Sequence, residues 1–355
     1  LMENTIPKIL RKTSPYLRRP QASVTRMMRD VFIALLPVTV FAIYRFGTDA
    51  VTILIVSVLS MVVAEYLYYQ AADMIDGERF KLKNKSFTLY NFSAMTSGLI
   101  YGLILPNNTP VITIIISGAL GIFLGKLIFG GLGQNIFNPA ALARVLLVVN
   151  FGTMVNYEID GFAGATALSE MSKSMFDSGL LNDFSLINLF TGIGIPGSIG
   201  EVSALLIIVG GIYLALRTSF EVRIPLVYVG TVFVLASAVA IYKGLGIWYP
   251  MYHILSGGLL FGAVFMATDP ITSPITQPGR VYFAFALGVV TFFIRVFGAY
   301  PEGVVFAILI MNMFVSSFDY YKWTYSRFTK KQGVIFAIVA VVSIVVTIVG
   351  VSYVG

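Results

Sequence analysis

Apolar residues run along this chain in long uninterrupted stretches, separated by short polar joints. In order, the runs cover 31–48, 50–70, 88–106, 109–130 and 138–152, then 202–217, 222–243, 250–268, 280–297, 301–318 and 333–354. A stretch of about 20 apolar residues crosses roughly 30 Å of hydrocarbon as a helix. In lipid, only helices and closed barrels satisfy their own backbone hydrogen bonds. The pattern therefore predicts an all-α polytopic membrane protein with about ten or eleven transmembrane helices. Several runs are short or interrupted by Gly and Pro, which predicts half-helices or re-entrant segments among them.

The polar joints carry a charge asymmetry. Lys8, Arg11, Lys12, Arg18, Arg19, Arg26 and Arg29 precede or open the first run. Basic residues also fill the joints at Arg79–Lys85, Arg217–Arg223 and Lys322–Lys331. The long joint near 150–201 is acidic, with Glu158, Asp160, Glu170, Asp177, Asp183 and Glu201 against Lys173. Cytoplasmic loops collect Lys and Arg. The basic joints are thus expected inside and the acidic loop outside, and counting spans gives the same answer. The expected organisation is a cytoplasmic segment over 1–30, a first membrane repeat over 31–152 and an extracytoplasmic loop over 153–201. A second repeat covers 202–318, and a basic loop with an extra helix covers 319–355.

Two repeats are suggested by short internal matches. Thr96-Ser97-Gly98-Leu99-Ile100-Tyr101-Gly102 resembles Ser256-Gly257-Gly258-Leu259-Leu260-Phe261-Gly262. Further on, Ala119-Leu120-Gly121 resembles Ala286-Leu287-Gly288, and Pro139 falls near Pro301. Five spans separate each pair, so the copies are expected to run in opposite directions, with a functional site at their interface.

Composition narrows the chemistry. Of 355 residues, 57% are hydrophobic and only 12% charged, far from the roughly 25% charge of a soluble domain. The net charge of +7 is explained by membrane topology and needs no nucleic acid partner. The sequence has no cysteine and a single histidine, His253. Disulfides, thiolate nucleophiles and cysteine-ligated iron–sulfur clusters on this chain are excluded. No metal site is expected, and redox chemistry here calls for an organic cofactor.

The most specific segment lies in the acidic loop: Asp160-Gly161-Phe162-Ala163-Gly164-Ala165-Thr166. Small residues surround one hydroxyl, leaving room for another enzyme's active site. The strip resembles the acceptor motif of flavin transferases, Asp-Gly-x-Ser/Thr-Gly-Ala-Thr, with Ala163 in place of the hydroxyl residue. Three further stretches stand in order around it. They are Arg29-Asp30-Val31-Phe32-Ile33-Ala34-Leu35-Leu36-Pro37, Gln134-Asn135-Ile136-Phe137-Asn138-Pro139-Ala140 and Ala267-Thr268-Asp269-Pro270-Ile271-Thr272. Together the four resemble the RnfD/NqrB family over roughly residues 14–320. The short leader is nearer to RnfD of the Rnf complex than to NqrB of the sodium-pumping NADH:quinone reductase.

The resemblance implies a urea-channel-like bundle of inverted five-helix repeats in a prokaryotic cytoplasmic membrane. It implies FMN joined by its phosphate to Thr166, with Asp160, Gly161, Gly164 and Ala165 as the acceptor motif. A flavin transferase would attach it. Partner subunits, membrane-bound and peripheral, would pass electrons between reduced ferredoxin and NAD, coupled to Na⁺ or H⁺ movement, and the isolated chain would not turn over. Some members hold a second, non-covalent riboflavin. The run 333–354 lies beyond the family's usual core.

Charged groups inside apolar runs are costly and are functional candidates. Glu65, Lys126, Arg144 and Arg295 are such groups, with inter-helix pairing as the plainer role. Arg144 is placed to balance a flavin phosphate or reduced ring. Asn138-Pro139 and Asp269-Pro270 interrupt helices, and broken helices expose dipole ends that hold ions. Asp269 is a candidate for cation coupling, with helix capping as the plainer expectation. His253 is a candidate for a proton relay, with a place at the membrane interface as the plainer expectation. A solute channel of the same architecture, or a passive scaffold, would explain the spans but not the Thr166 motif.

Overall fold

The computed structural model describes residues 24–76, 88–152, 158–159, 162–163, 185–195, 197–201, 203–298, 303–320 and 328–354. Each of the apolar runs coincides with helix. The first helix, α1, spans Val24–Asp76 and begins earlier than the run at 31 suggested. It contains both of the first two runs. At Gly47 the backbone leaves the helix, with φ 63° and ψ −138°, a region open mainly to glycine.

The chain reverses there, and contacts with the next helices show it. Helix α2 is the short turn Thr88–Asn91, and α3 is Ser93–Leu103. Near the start of α3, Thr96 donates to the Met28 carbonyl at 3.3 Å. Near its end, Gly102 lies against Ser57 and Leu54. Thus the first limb of α1 starts beside the N-terminal part of α3, and the second limb starts beside its C-terminal part. Gly98 permits the approach, since a Cβ there would come within 2.7 Å of the Val58 Cα. Small residues at such crossings are how membrane helices gain close packing.

Helix α4, Val111–Ile122, runs into a π turn at Phe123–Leu127, and α5 follows at Pro139–Phe151. Two short strands, β1 Glu158–Ile159 and β2 Phe162–Ala163, pair antiparallel. Then come α6 Leu186–Thr191, α7 Ala204–Leu216, α8 Arg223–Lys243 and α9 Trp248–Leu255. Helix α10, Leu259–Phe261, continues into a second π turn, Gly262–Met266. The remainder is α11 Gln277–Phe297, α12 Val304–Asn312, α13 Val315–Phe318 and α14 Lys330–Val354.

Among the described residues, four helices are long and apolar enough to cross a membrane: Val24–Ala72, Arg223–Lys243, Gln277–Phe297 and Lys330–Tyr353. The pair Trp248–Leu255 and Leu259–Met266, bent by 58°, makes a fifth if taken as one span. The runs 109–130, 138–152 and 202–217 emerge as shorter apolar helices, Val111–Leu127, Pro139–Phe151 and Ala204–Leu216. The chain is a multi-pass, all-helical membrane protein.

The paired sequence matches behave differently. Residues 96–102 sit inside continuous α3, whereas 256–262 straddle the break between α9 and α10. That match joins unlike local structures. The second is closer in role: Gly121 meets Ala143 of α5, and Gly288 meets Thr231 and Tyr228 of α8. Both glycines let a neighbouring helix come near. Buried hydroxyl pairs, Tyr101 with Ser117 at 2.7 Å and Tyr228 with Thr291 at 2.6 Å, satisfy polar groups inside each half.

Candidate functional site

Both π turns lead to one cleft. A π turn widens a helix by one residue and recurs at functional sites. Each here is followed by a loop and then by a capped helix. Asn138 caps α5, its Oδ1 accepting from Ala140 N at 3.0 Å and Ala141 N at 3.3 Å, with Pro139 in the first turn. Thr276 caps α11 by accepting from Gly279 N at 3.2 Å. The two arms are tied together. Asn138 Nδ2 donates to the Met266 carbonyl at 3.4 Å. With its amide oriented to suit its neighbours, Asn312 accepts from Asn138 N and donates to the Thr272 carbonyl, both at 3.1 Å.

The cleft encloses about 50 Å³ of free space and opens outward, and its lining includes Ser93, Lys126, Asn135, Asn138, Thr268 and Asp269. Lys126 Nζ donates to Glu65 Oε2 at 2.7 Å and to Ser93 Oγ at 3.0 Å. The side chains of this pair are 1% and 0% exposed. Glu65 Oε1 and Asn135 Oδ1 are buried without a hydrogen-bond partner among the described residues, and such acceptors are costly unless something supplies a proton donor.

The expected site residues divide. Asn138 and Asp269 share the cleft. Arg144 is buried at 3% exposure on α5 and is not part of that lining. Asp269 does not cap a helix. Its Oδ2 accepts from Thr272 Oγ1 at 3.0 Å, closing the turn after the π segment, and Thr276 takes the capping role instead. Asp160, Gly161, Gly164, Ala165 and Thr166 lie outside the described residues; the strands β1 and β2 flank Asp160-Gly161 in sequence. The inter-helix pairing expected as the plainer role of Glu65 and Lys126 is found, although the sequence does not say that they pair with each other. Asn135 stands out only as a member of its motif.

At the other end of the bundle, α9 and α10 meet at a bend. Gly257 and Gly258 adopt φ 63° and 68°. Arg295 of α11 reaches the open end of α9, donating to the carbonyls of His253 at 2.6 Å, Ser256 at 3.2 Å and Gly257 at 2.9 Å. A guanidinium suits this place, where helix carbonyls lack partners and the dipole is negative. The Glu201 carboxylate lies against Gly258, at the start of α10, where the dipole favours negative charge. His253, expected at the membrane interface, is buried within the protein at 2% exposure, with its ring 4.7 Å from Tyr249 and 5.3 Å from Phe292.

The fold and cleft define a class: a polytopic membrane protein whose broken helices converge on a buried polar centre. The chain belongs to the NQR2, RnfD, RnfE family, which it matches over residues 10–326. It is 36% identical over 312 residues to the subunit designated D in the proton-translocating ferredoxin:NAD⁺ oxidoreductase complex of Clostridium ljungdahlii, covering 84% of this chain and 90% of the relative. It is 34% identical over 326 residues to the subunit of the same designation in the Na⁺-translocating ferredoxin:NAD⁺ oxidoreductase complex of Acetobacterium woodii, covering 90% and 93%. A third relative is the subunit designated B in the Na⁺-translocating NADH-quinone reductase of Chromohalobacter salexigens. It is 37% identical over 247 residues, covering 65% of this chain and 58% of the relative.

Proposed function

We propose that this chain is the electron-carrying membrane subunit, of the RnfD type, in an ion-translocating ferredoxin:NAD oxidoreductase complex, with FMN held covalently on Thr166. Family membership over most of the chain, with two relatives named as the corresponding subunit of such complexes, supports the role in a complex. The observation that carries the cofactor assignment is the motif Asp160-Gly161-Phe162-Ala163-Gly164-Ala165-Thr166 in the acidic loop. A flavin exchanges one or two electrons, so it links two-electron donors to one-electron carriers when bound. The chain's part is to present the Thr166 hydroxyl for a phosphoester bond on the extracytoplasmic side. The scarcity of basic residues in the 150–201 loop, Lys173 alone, against the basic joints elsewhere supports that orientation.

The cleft beneath the two π turns suits a second, non-covalent flavin such as riboflavin. Its enclosed space of about 50 Å³ would have to open to admit such a ring, to whose N–H the unpartnered Asn135 Oδ1 offers an acceptor. Asn138 sets its floor by tying the two arms, and the buried Lys126–Glu65 pair supplies polarity beside it.

The test is in-gel fluorescence. Wild-type chain, made in cells with a working flavin transferase, is expected to give a fluorescent band on a denaturing gel, and Thr166→Ala to give a dark one at equal protein. A dark wild-type band would favour a channel or scaffold. The purified chain alone is expected to show no ferredoxin:NAD turnover, because both electron partners sit on other subunits.

A further inference from the structure

The geometry points to a binding site for an anionic phospholipid between α11 and α14, with one acyl chain in an apolar groove and its headgroup beside Lys331. This rests on helix packing alone and stands apart from the flavin assignment.

Helix α14 is held at its two ends. At the start, Tyr282 Oη donates to the Gln332 carbonyl at 3.0 Å, and the Phe336 ring lies 5.0 Å from Phe285. At the far end, Gly350 seats against the Phe297 ring. The two helices therefore run parallel. Between the attachments they part, leaving a groove of about 390 Å³ lined by Phe285, Val289, Val290, Ile335 and Val339, with Ser317 and Phe318 of α13 as a wall. Only 11% of the apolar window of α14 is buried, so most of that helix is left uncovered by this chain.

A groove between lipid-facing helices does not stay empty, because its walls would forfeit their dispersion contacts. A further transmembrane helix is a poor occupant. Close helix crossings need small residues, and the middle of this lining, Phe285, Val289, Val290, Ile335 and Val339, is aromatic or β-branched, with Ala286, Ser317 and Ser343 the small residues around it. A flexible acyl chain conforms to such walls. The mouth indicates the headgroup. Lys330 and Lys331 are exposed on the first turn of α14, immediately before Gln332, which borders the groove. The turn is fixed by a reciprocal cap: Thr329 N donates to Gln332 Oε1 at 2.9 Å, and Gln332 N donates to Thr329 Oγ1 at 3.3 Å. Basic residues at such mouths recruit anionic lipid. Among the described residues, no acidic side chain lines the groove to oppose it.

The experiment uses the full chain, extracted in mild detergent and read by native mass spectrometry. Phosphatidylglycerol is added, or phosphatidylcholine with the same acyl chains. The expected result is a retained phosphatidylglycerol adduct in clear excess over phosphatidylcholine. Lys331→Glu is expected to lower that preference about fivefold or more, as about 1 kcal/mol per basic residue near the surface implies. Val339→Trp fills the groove and is expected to remove the adduct. Ser343→Leu, which fills it from the other end, does the same if the tryptophan variant misfolds. Equal retention of both lipids overturns the proposal, as does an adduct undiminished in both filled variants. A co-purified quinone or partner helix in the groove overturns it too.

Discussion

Two buried cations divide this molecule, and they are neutralised in different ways. Lys126 sits in a π turn beside the cleft and faces a carboxylate, Glu65, at 2.7 Å. Arg295 sits at the opposite end and faces backbone carbonyls at a helix break. The first is a pair of charges brought together from residues far apart in sequence. The second is a charge held by dipoles, a fixed part of the bend. The contrast teaches where change is tolerated. A charge pair remains balanced if both members change together, whereas a clamp on carbonyls is set by the path of the backbone. The pair stands where a ligand or ion is expected to move, and the clamp stands where the scaffold must hold.

The largest expected effect comes from breaking the pair. Lys126→Met leaves Glu65 buried and bare and should cost about 3–5 kcal/mol. Adding Glu65→Gln should restore most of the apparent Tm. With no cysteine for thiol dyes, intrinsic tryptophan fluorescence is the readout. If the double variant is no better than the single one, the pair is not the unit described.

Arg295→Met should follow, costing about 1–3 kcal/mol through buried carbonyls left without donors. Arg295→Lys should recover only part, because an ammonium lacks the planar fork that reaches several carbonyls. Full recovery by lysine would mean that charge alone matters there, erasing the contrast.

Gly258→Ala tests the bend itself. Its φ of 68° costs an L-residue about 1–2 kcal/mol, and the added methyl meets the Glu201 carboxylate. An unchanged Tm would show that the bend is not strained in this way. Asn138→Ala should be the mildest, about 1 kcal/mol for the lost cap. It should leave any fluorescence of the Thr166 band unchanged while weakening non-covalent flavin retention. Loss of the covalent band in this variant would contradict the separation of the two sites.

Much of the fold was legible because lipid demands long apolar runs, and every run became helix. What the runs hid was a break within one of them. The joint between the runs 31–48 and 50–70 is real and falls at Gly47, whereas the break at Gly257–Gly258 lies inside a single run, 250–268. Lys126 and Glu65 were conspicuous singly, but periodicity carries no information on pairing across 61 residues. Arg295 was conspicuous too, while its partners are carbonyls, which every residue has. The burial of His253 against Tyr249 and Phe292 is not readable from its place along a run, because a run does not show which neighbours its side chains meet. Asp269 looked like a cap because Asp precedes Pro, but the helix starts later, at Thr276. The flavin loop was legible by motif alone, since small residues around one hydroxyl form no periodic pattern.

The most direct measurement is mass spectrometry of the Thr166 peptide from the native complex. The account predicts that this peptide carries the mass of FMN joined through phosphate to the threonine oxygen, and that the modification is lost in Thr166→Ala. An unmodified Thr166 in a complex that still transfers electrons from ferredoxin to NAD would contradict it.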